Sequence, residues 1–224
     1  MILRRLPRRF GYGAIVALVN LAVVLAALVA VPAMAKPVRI VALGDSLTAG
    51  YGLAQADAFP VRLEAALRAD GIDAVVVNAG VSGDTSAGGL RRLDWALAPG
   101  PDGPADALIV ELGANDGLRG LDPKATEANL DSILARARER GLRVLLTGML
   151  APPNLGRDYG AQFDAIYPRL AAKHGVLLYP FFLDGVAAIP SLNQADGIHP
   201  DAAGVAVIVG RMLPAVKRLL AASR

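Results

Sequence analysis

The sequence predicts an α/β protein, a three-layer α/β/α body in which a five-stranded parallel sheet is covered by helices on both faces. Two patterns carry this. Short runs of Val, Ile and Leu alternate five times with longer segments of helical periodicity, the order that builds parallel sheets through right-handed crossovers. The runs are also continuously apolar, without the polar alternation of a half-exposed strand, which marks strands buried on both faces. In chain order the strands are expected at Val38–Leu43, Ala74–Val77, Ala107–Leu112, Val144–Thr147 and Val176–Tyr179. Helices are expected near 59–69, 86–97, 123–140, 159–174 and 202–222, with Gly71 and Gly141 just past two of them as C-terminal caps. Asp84 and Thr85 stand where they could cap the helix that begins near Ser86. Pro99–Pro104 and Ala151–Tyr159 read as loops. Residues 36–224 contain no internal repeat and no second-domain boundary, and are numerous enough to bury one proper core.

The first 35 residues are of another kind. The chain of 224 residues carries 23 Lys+Arg against 20 Asp+Glu, a formal charge of +3. Four of the basic groups, Arg4, Arg5, Arg8 and Arg9, lie in residues 1–35, which hold no acid. Residues 36–224 therefore keep 19 basic and 20 acidic groups, a net charge of −1. A nucleic-acid-binding body needs a basic face, and this balance argues against one. After the arginines, Ala14–Val31 is apolar apart from Asn20, and Pro32 and Ala33-Met34-Ala35 follow. A basic start, an apolar stretch and an Ala-x-Ala site read as a secretory signal cleaved near Ala35, placing the body in the periplasm or outside the cell. The competing reading is an uncleaved membrane anchor, since Phe10–Ala35 carries no charge. The apolar content of 54% excludes intrinsic disorder, and the absence of cysteine excludes a disulfide scaffold.

Open parallel sheets place ligand chemistry in the loops at the carboxyl ends of their strands. Three such loops are polar and rich in small residues: Gly44-Asp45-Ser46-Leu47-Thr48-Ala49-Gly50, Asn78-Ala79-Gly80-Val81-Ser82-Gly83-Asp84-Thr85 and Gly113-Ala114-Asn115-Asp116-Gly117. Ser46 sits just past the first strand, where its hydroxyl could project from the sheet edge. The chain has two histidines. His174 stands beside Gly175 and reads as a surface or helix-terminal residue. His199 lies in Asp196-Gly197-Ile198-His199-Pro200, ahead of the last helix, and a three-residue separation lets the Asp196 carboxylate reach its ring. A serine, a histidine and a carboxylate in that relation form a nucleophile, a base and a group that orients the base. Taken singly, Gly-Asp-Ser and Asp-Gly are ordinary turn sequences and Asn115-Asp116 could cap local backbone. Their joint arrival in these loops is what points to catalysis.

Four blocks in this order resemble the SGNH (GDSL) hydrolase superfamily: Gly-Asp-Ser-Leu-Thr at 44–48, Gly83 in Val-Ser-Gly-Asp-Thr-Ser, Gly-Ala-Asn-Asp at 113–116 and Asp-Gly-Ile-His-Pro at 196–200. Gly-Asp-Ser-Leu-Thr-Ala-Gly-Tyr at 44–51, Ser-Gly-Asp-Thr-Ser at 82–86, Glu-Leu-Gly-Ala-Asn-Asp-Gly-Leu-Arg-Gly at 111–120, Ala-Ile-Tyr-Pro at 165–168 and Pro-Phe-Phe at 180–182 are similar to its periplasmic arylesterase, acyl-CoA thioesterase I and lysophospholipase branch. The likeness runs from about residue 38 to about residue 205, departing at Ala114, where that branch often has Gly. It implies a flavodoxin-like fold, Ser46 as nucleophile, His199 as general base and Asp196 as its orienting partner. It further implies an oxyanion hole made of the Ser46 and Gly83 backbone N–H groups and the Asn115 side-chain amide, with Asp45 structural. Glycine at 83 is expected because a side chain would obstruct the acyl group. No metal or organic cofactor is implied.

By the same resemblance, Gly117–Leu121 flanks an acyl pocket, and Leu118, Leu121, Leu150, Ile198 and the loop 151–159 supply an apolar groove. The expected substrates are medium to long acyl esters, thioesters or lysophospholipids, with membrane contact only through the N-terminal segment or a lipid substrate. A carbohydrate O-deacetylase would use the same triad with an aromatic-lined site, which a chain with 5% aromatics and one Trp serves poorly. A non-catalytic binding module would not need Ser46, Asn115 and the Asp196/His199 pair together. Esterase activity is expected to rise from acid to neutral pH as His199 loses its proton. A profile flat between roughly pH 5 and 8 would contradict His199 as the base.

Overall fold

The strands lie in the order β2-β1-β3-β4-β5, all parallel, in a computed structural model that describes residues 36–222. They are β1 (Val38–Gly44), β2 (Ala74–Gly80), β3 (Ala107–Glu111), β4 (Arg143–Thr147) and β5 (Leu177–Tyr179). The expectation for residues 1–35, a cleaved signal or an anchor, lies outside the described residues. Eight helices join or follow the strands in the described residues: α1 (Ser46–Ala49), α2 (Phe59–Ala69), α3 (Ser86–Ala96), α4 (Ala114–Leu118), α5 (Pro123–Glu139), α6 (Arg157–Asp164), α7 (Ile166–His174) and α8 (Ala202–Ala221). Helices α2 and α8 pack together, as do α3, α5 and α7, giving one helical layer on each face. This is the doubly wound, flavodoxin-like arrangement the sequence predicts.

The continuous apolar runs end up where their composition requires. Ile40, Val41 and Leu43 of β1 and Leu108, Ile109 and Val110 of β3 are fully buried, because both faces of the sheet are covered. Strand β1 pairs β2 from Val38↔Ala74 to Gly44↔Gly80, and pairs β3 from Ile40↔Ala107 to Gly44↔Glu111. The sheet order reverses at β1, so the loops after β1 and β3 diverge and leave a crevice between them. Both carry candidate site residues. Among the described residues no helix is long and apolar enough to cross a membrane.

Several expectations are refined. Strand β2 runs on through Asn78–Gly80, residues expected in a loop, because they pair with Ala42–Gly44. The expected helix 159–174 is two helices that meet at Ala165. Pro168 lacks the N–H that would bond the Asp164 carbonyl and so interrupts the hydrogen-bond ladder there. Helices α1 and α4 had no periodic signal, being four and five residues long. Gly71 and Gly141 do terminate helices, at φ of 77° and 68°. Thr85 caps α3 by accepting from the Gly88 N–H, whereas Asp84 turns to Arg92.

Gly80 ends β2 directly beneath α1, where an added Cβ would collide with the Ala49 backbone. Gly80→Ala is therefore expected to cost about 1–3 kcal/mol, since backbone cannot yield as a side-chain tip does. For a domain of this size that lowers Tm by roughly 2–12 °C in a thermal melt. Gly160→Ala, in α6 with open space around it, should leave Tm unchanged or slightly raised.

Candidate active site

The three polar loops meet at the carboxyl edge of the sheet, and the loop before α8 closes over them. Asp45 begins the assembly. Its backbone leaves the β region at the end of β1, and its side chain accepts from the Leu47 N–H, capping α1. Ser46 is thereby held at the first helical position, where a backbone N–H has no intrahelical acceptor. The serine hydroxyl meets His199: Oγ and Nε2 are 2.9 Å apart. On the other side of the ring, Nδ1 is 2.7 Å from Asp196 Oδ2. The second Asp196 oxygen accepts from the Ile198 and His199 N–H groups at 2.9 and 3.0 Å. These bonds stabilise the ionised carboxylate, the His199 N–H first and the His199 ring next, and hold Asp196 down at about 2. An orienting group that stays ionised in this way keeps the proton on Nδ1 and leaves Nε2 free to accept.

The loop bearing this pair is fastened to the serine loop by Gln194, which the sequence did not mark. Its Nε2 donates to the Tyr51 carbonyl at 2.7 Å and to the Pro200 carbonyl at 3.0 Å. Its backbone N–H donates to the His199 carbonyl at 2.8 Å. One side chain thus joins segments 143 residues apart. The Tyr51 ring leans on the His199 ring, centroids 4.6 Å apart and 38° between planes.

Gly83 and Asn115 flank the serine from the loops after β2 and β3. Gly83 has φ of 82°, and an added Cβ would meet only Arg119, at 3.7 Å. Glycine is favoured there by backbone conformation, since L side chains rarely adopt this φ. Arg119 donates to the Gly83 carbonyl at 2.8 Å. Arg92 spans the ends of β1 and β2, donating to the Gly44 and Ala79 carbonyls at 2.7 Å each and to Asp84 at 2.5 Å. Asn115 Nδ2 donates to Asp45 Oδ2 at 3.1 Å and to the Asp84 carbonyl at 3.0 Å, so both of its amide hydrogens are engaged. Asp116 faces the other way and is buried, accepting from Ser86 N, Ser86 Oγ and Thr126 Oγ1. It ties α4 to α3 and α5.

A groove of about 420 Å³ opens beside Ser46 and His199. Leu118, Leu150 and Ile198 line it, as the sequence suggested. Leu121 does not: it lies beyond the groove, where its carbonyl accepts the Tyr159 hydroxyl. Of the loop 151–159, Ala151, Pro152 and Pro153 contribute. Met149, Phe181 and Leu183 line the groove without having been singled out. Phe181 comes from the Pro-Phe-Phe segment after β5, which the topology alone brings to this edge. His174, by contrast, ends α7 at the opposite edge of the sheet. It is helix-terminal as expected but buried, with Nε2 2.6 Å from Asp131.

Comparison with known proteins identifies the family. The model of the GDSL-like lipase/acylhydrolase family matches residues 42–207. Esterase TesA of Pseudomonas aeruginosa is 42% identical over 194 residues, covering 87% of this chain and 95% of that protein. Thioesterase 1/protease 1/lysophospholipase L1 of Escherichia coli K12 is 43% identical over 159 residues, 71% of this chain and 74% of that protein. Among solved structures, AlinE4, an SGNH-hydrolase family esterase, superimposes with a TM-score of 0.70 at 49% identity, covering 85% of this chain and all of that one. With the matched region spanning most of the body and all four sequence blocks, the chain belongs to the GDSL-like lipase/acylhydrolase family.

Proposed function

We propose that this chain is a serine esterase that hydrolyses carboxylic esters and thioesters through an acyl-enzyme on Ser46. The observation that carries the reading is the imidazole of His199 bridging Ser46 Oγ and Asp196 at the mouth of an apolar groove. Ser46 Oγ attacks the acyl carbonyl as its proton passes to His199 Nε2. Asp196, ionised, holds the Nδ1 proton and stabilises the imidazolium. The negative charge that gathers on the former carbonyl oxygen is met by the Ser46 and Gly83 N–H groups and by Asn115 Nδ2. Asn115 has no spare hydrogen in the free enzyme, so the oxyanion takes the one now given to the Asp84 carbonyl. An anionic acceptor binds an N–H more strongly than a neutral carbonyl does, which favours the exchange. His199 then protonates the leaving alcohol or thiol, and water releases the acyl group by the same route.

The groove lined by Leu118, Leu150, Ile198, Met149 and Phe181 suits an extended hydrocarbon chain, so the acyl part is medium to long. The names carried by its relatives, esterase, thioesterase and lysophospholipase, support aryl esters, acyl thioesters and lysophospholipids as the substrate class. The basic start, apolar stretch and Ala-x-Ala site of residues 1–35 support export, which favours lipid and aryl esters met outside the cytoplasm. An exported protein whose intact mass begins at Lys36 fits cleavage, and one that retains residues 1–35 fits an anchor.

Wild-type protein is expected to take up a fluorophosphonate probe and Ser46→Ala to refuse it. Equal labelling of the two would remove Ser46 from its role. Gln194 touches neither the reacting atoms nor the groove, so it is a positioning residue for His199. Gln194→Ala should lower kcat by roughly tenfold through misplacement of the imidazole, with KM within about twofold. A rise in KM at unchanged kcat would place Gln194 in substrate binding instead.

A further inference from the structure

Behind Ser46 lies a buried pair of acids that the triad does not use. Glu111, the last residue of β3, is buried beside Asp45, which is itself fully buried. Glu111 Oε2 accepts from Thr48 Oγ1 at 2.8 Å and from the Asp45 N–H at 3.3 Å. Among the described residues, Glu111 Oε1 is buried with no donor to accept from. Gly44 admits the arrangement, since an added Cβ would collide with Thr48 Oγ1 and Glu111 Oε2. The first glycine of Gly-Asp-Ser is therefore the floor of this acid pair.

Two ionised carboxylates here would repel in a region closed to solvent, and one oxygen would remain unpaired. A single proton removes both difficulties. Oε2 already accepts twice, so the hydroxyl is Oε1. We propose that Glu111 carries a proton at neutral pH, donates it in a hydrogen bond to an ionised Asp45, and through Asp45 holds Asn115 and α1 in their working positions. Glu111 is thus a positioning residue, two hydrogen bonds removed from Asn115. Asp45 then presents one oxygen to Leu47 N and the other to Asn115 Nδ2.

The electrostatics agree in direction. Burial, and then the charge of Asp45, push Glu111 well above the ordinary carboxyl range. Burial raises Asp45 to about 6, opposed by the Leu47 N–H, Asn115, Glu111 and the charge of His199. The other ionisable groups around the pair are Tyr167, buried with its hydroxyl donating to the Leu112 carbonyl, Asp116 on α4, and Arg92 on α3, which Asp84 neutralises. Because the folded Glu111 holds its proton to higher pH than the unfolded chain does, this group makes stability fall as pH rises above the usual carboxyl range.

Its role in orienting Asn115 rests on the esterase reading, whereas the location of the proton does not, and the test separates the two. Infrared spectra of the wild-type protein at pH 8 should contain a protonated-carboxyl C=O band that Glu111→Gln removes. A wild type without that band, or a variant that keeps it, overturns the assignment whether or not the protein has activity. Glu111→Gln, which can donate and accept as the protonated acid does, should keep kcat within about threefold of wild type. Glu111→Ala should lower kcat by about tenfold or more with KM little changed, as misplacement of a catalytic donor does. Equal loss in the Gln and Ala variants, or none in Ala, would overturn the positioning role. Should Glu111→Ala fail to fold, the infrared comparison and the Gln variant decide.

Discussion

The site depends on one buried carboxylate. Asp45 stands where β1 ends, and the ends of two strands are referred to it: its side chain caps the helix that presents Ser46 and receives Asn115 from the loop after β3, and its backbone N–H donates to Glu111 at the end of β3 itself. A buried charge without partners would be expelled or neutralised. This one accepts from the Leu47 N–H and the Asn115 amide, and in our proposal from the Glu111 carboxyl as well. The parallel sheet supplies the rigidity. Gly44 and Glu111 are register partners in adjacent strands, so the distance between Asp45 and Glu111 is set by the ladder and not by loop conformation.

That arrangement divides the labour of the site. The loops at the strand ends carry Ser46, Gly83 and Asn115, while His199 arrives on a separate loop with its own turn. Asp196 organises that turn by accepting two backbone N–H groups besides the ring. Gln194 then fixes where it docks. Asn115 has both amide hydrogens engaged, one by Asp45 and one by the Asp84 carbonyl.

Much of this was legible in the sequence because the chemistry lies in short local blocks. The five apolar runs fixed the sheet, the rule of carboxyl-end loops placed Ser46, Gly83 and Asn115 together, and the Asp196/His199 spacing is contained within one turn. What was not legible involves partners far apart. Glu111 and Asp45 are separated by 66 residues, and Gln194 and Tyr51 by 143, so no periodicity or spacing links them. Leu121 was misplaced for a related reason: its apolarity and position suggested the groove, but the turn after α4 carries it past the opening. The break at Ala165 was readable from Pro168, which stands too far into the helical pattern to be a first-turn proline.

A double-mutant cycle in kcat/KM between Glu111→Ala and Asn115→Ala tests the central claim most directly, because it asks whether the acid pair acts through the oxyanion donor. Loss of Asn115 alone removes one donor, worth about a hundredfold or more. If Glu111 works by way of Asp45 and Asn115, the double variant should fall no more than about threefold below Asn115→Ala alone, a strong departure from additivity. A double variant whose loss equals the product of the two single losses would contradict the account and leave Glu111 as a separate structural element of the sheet.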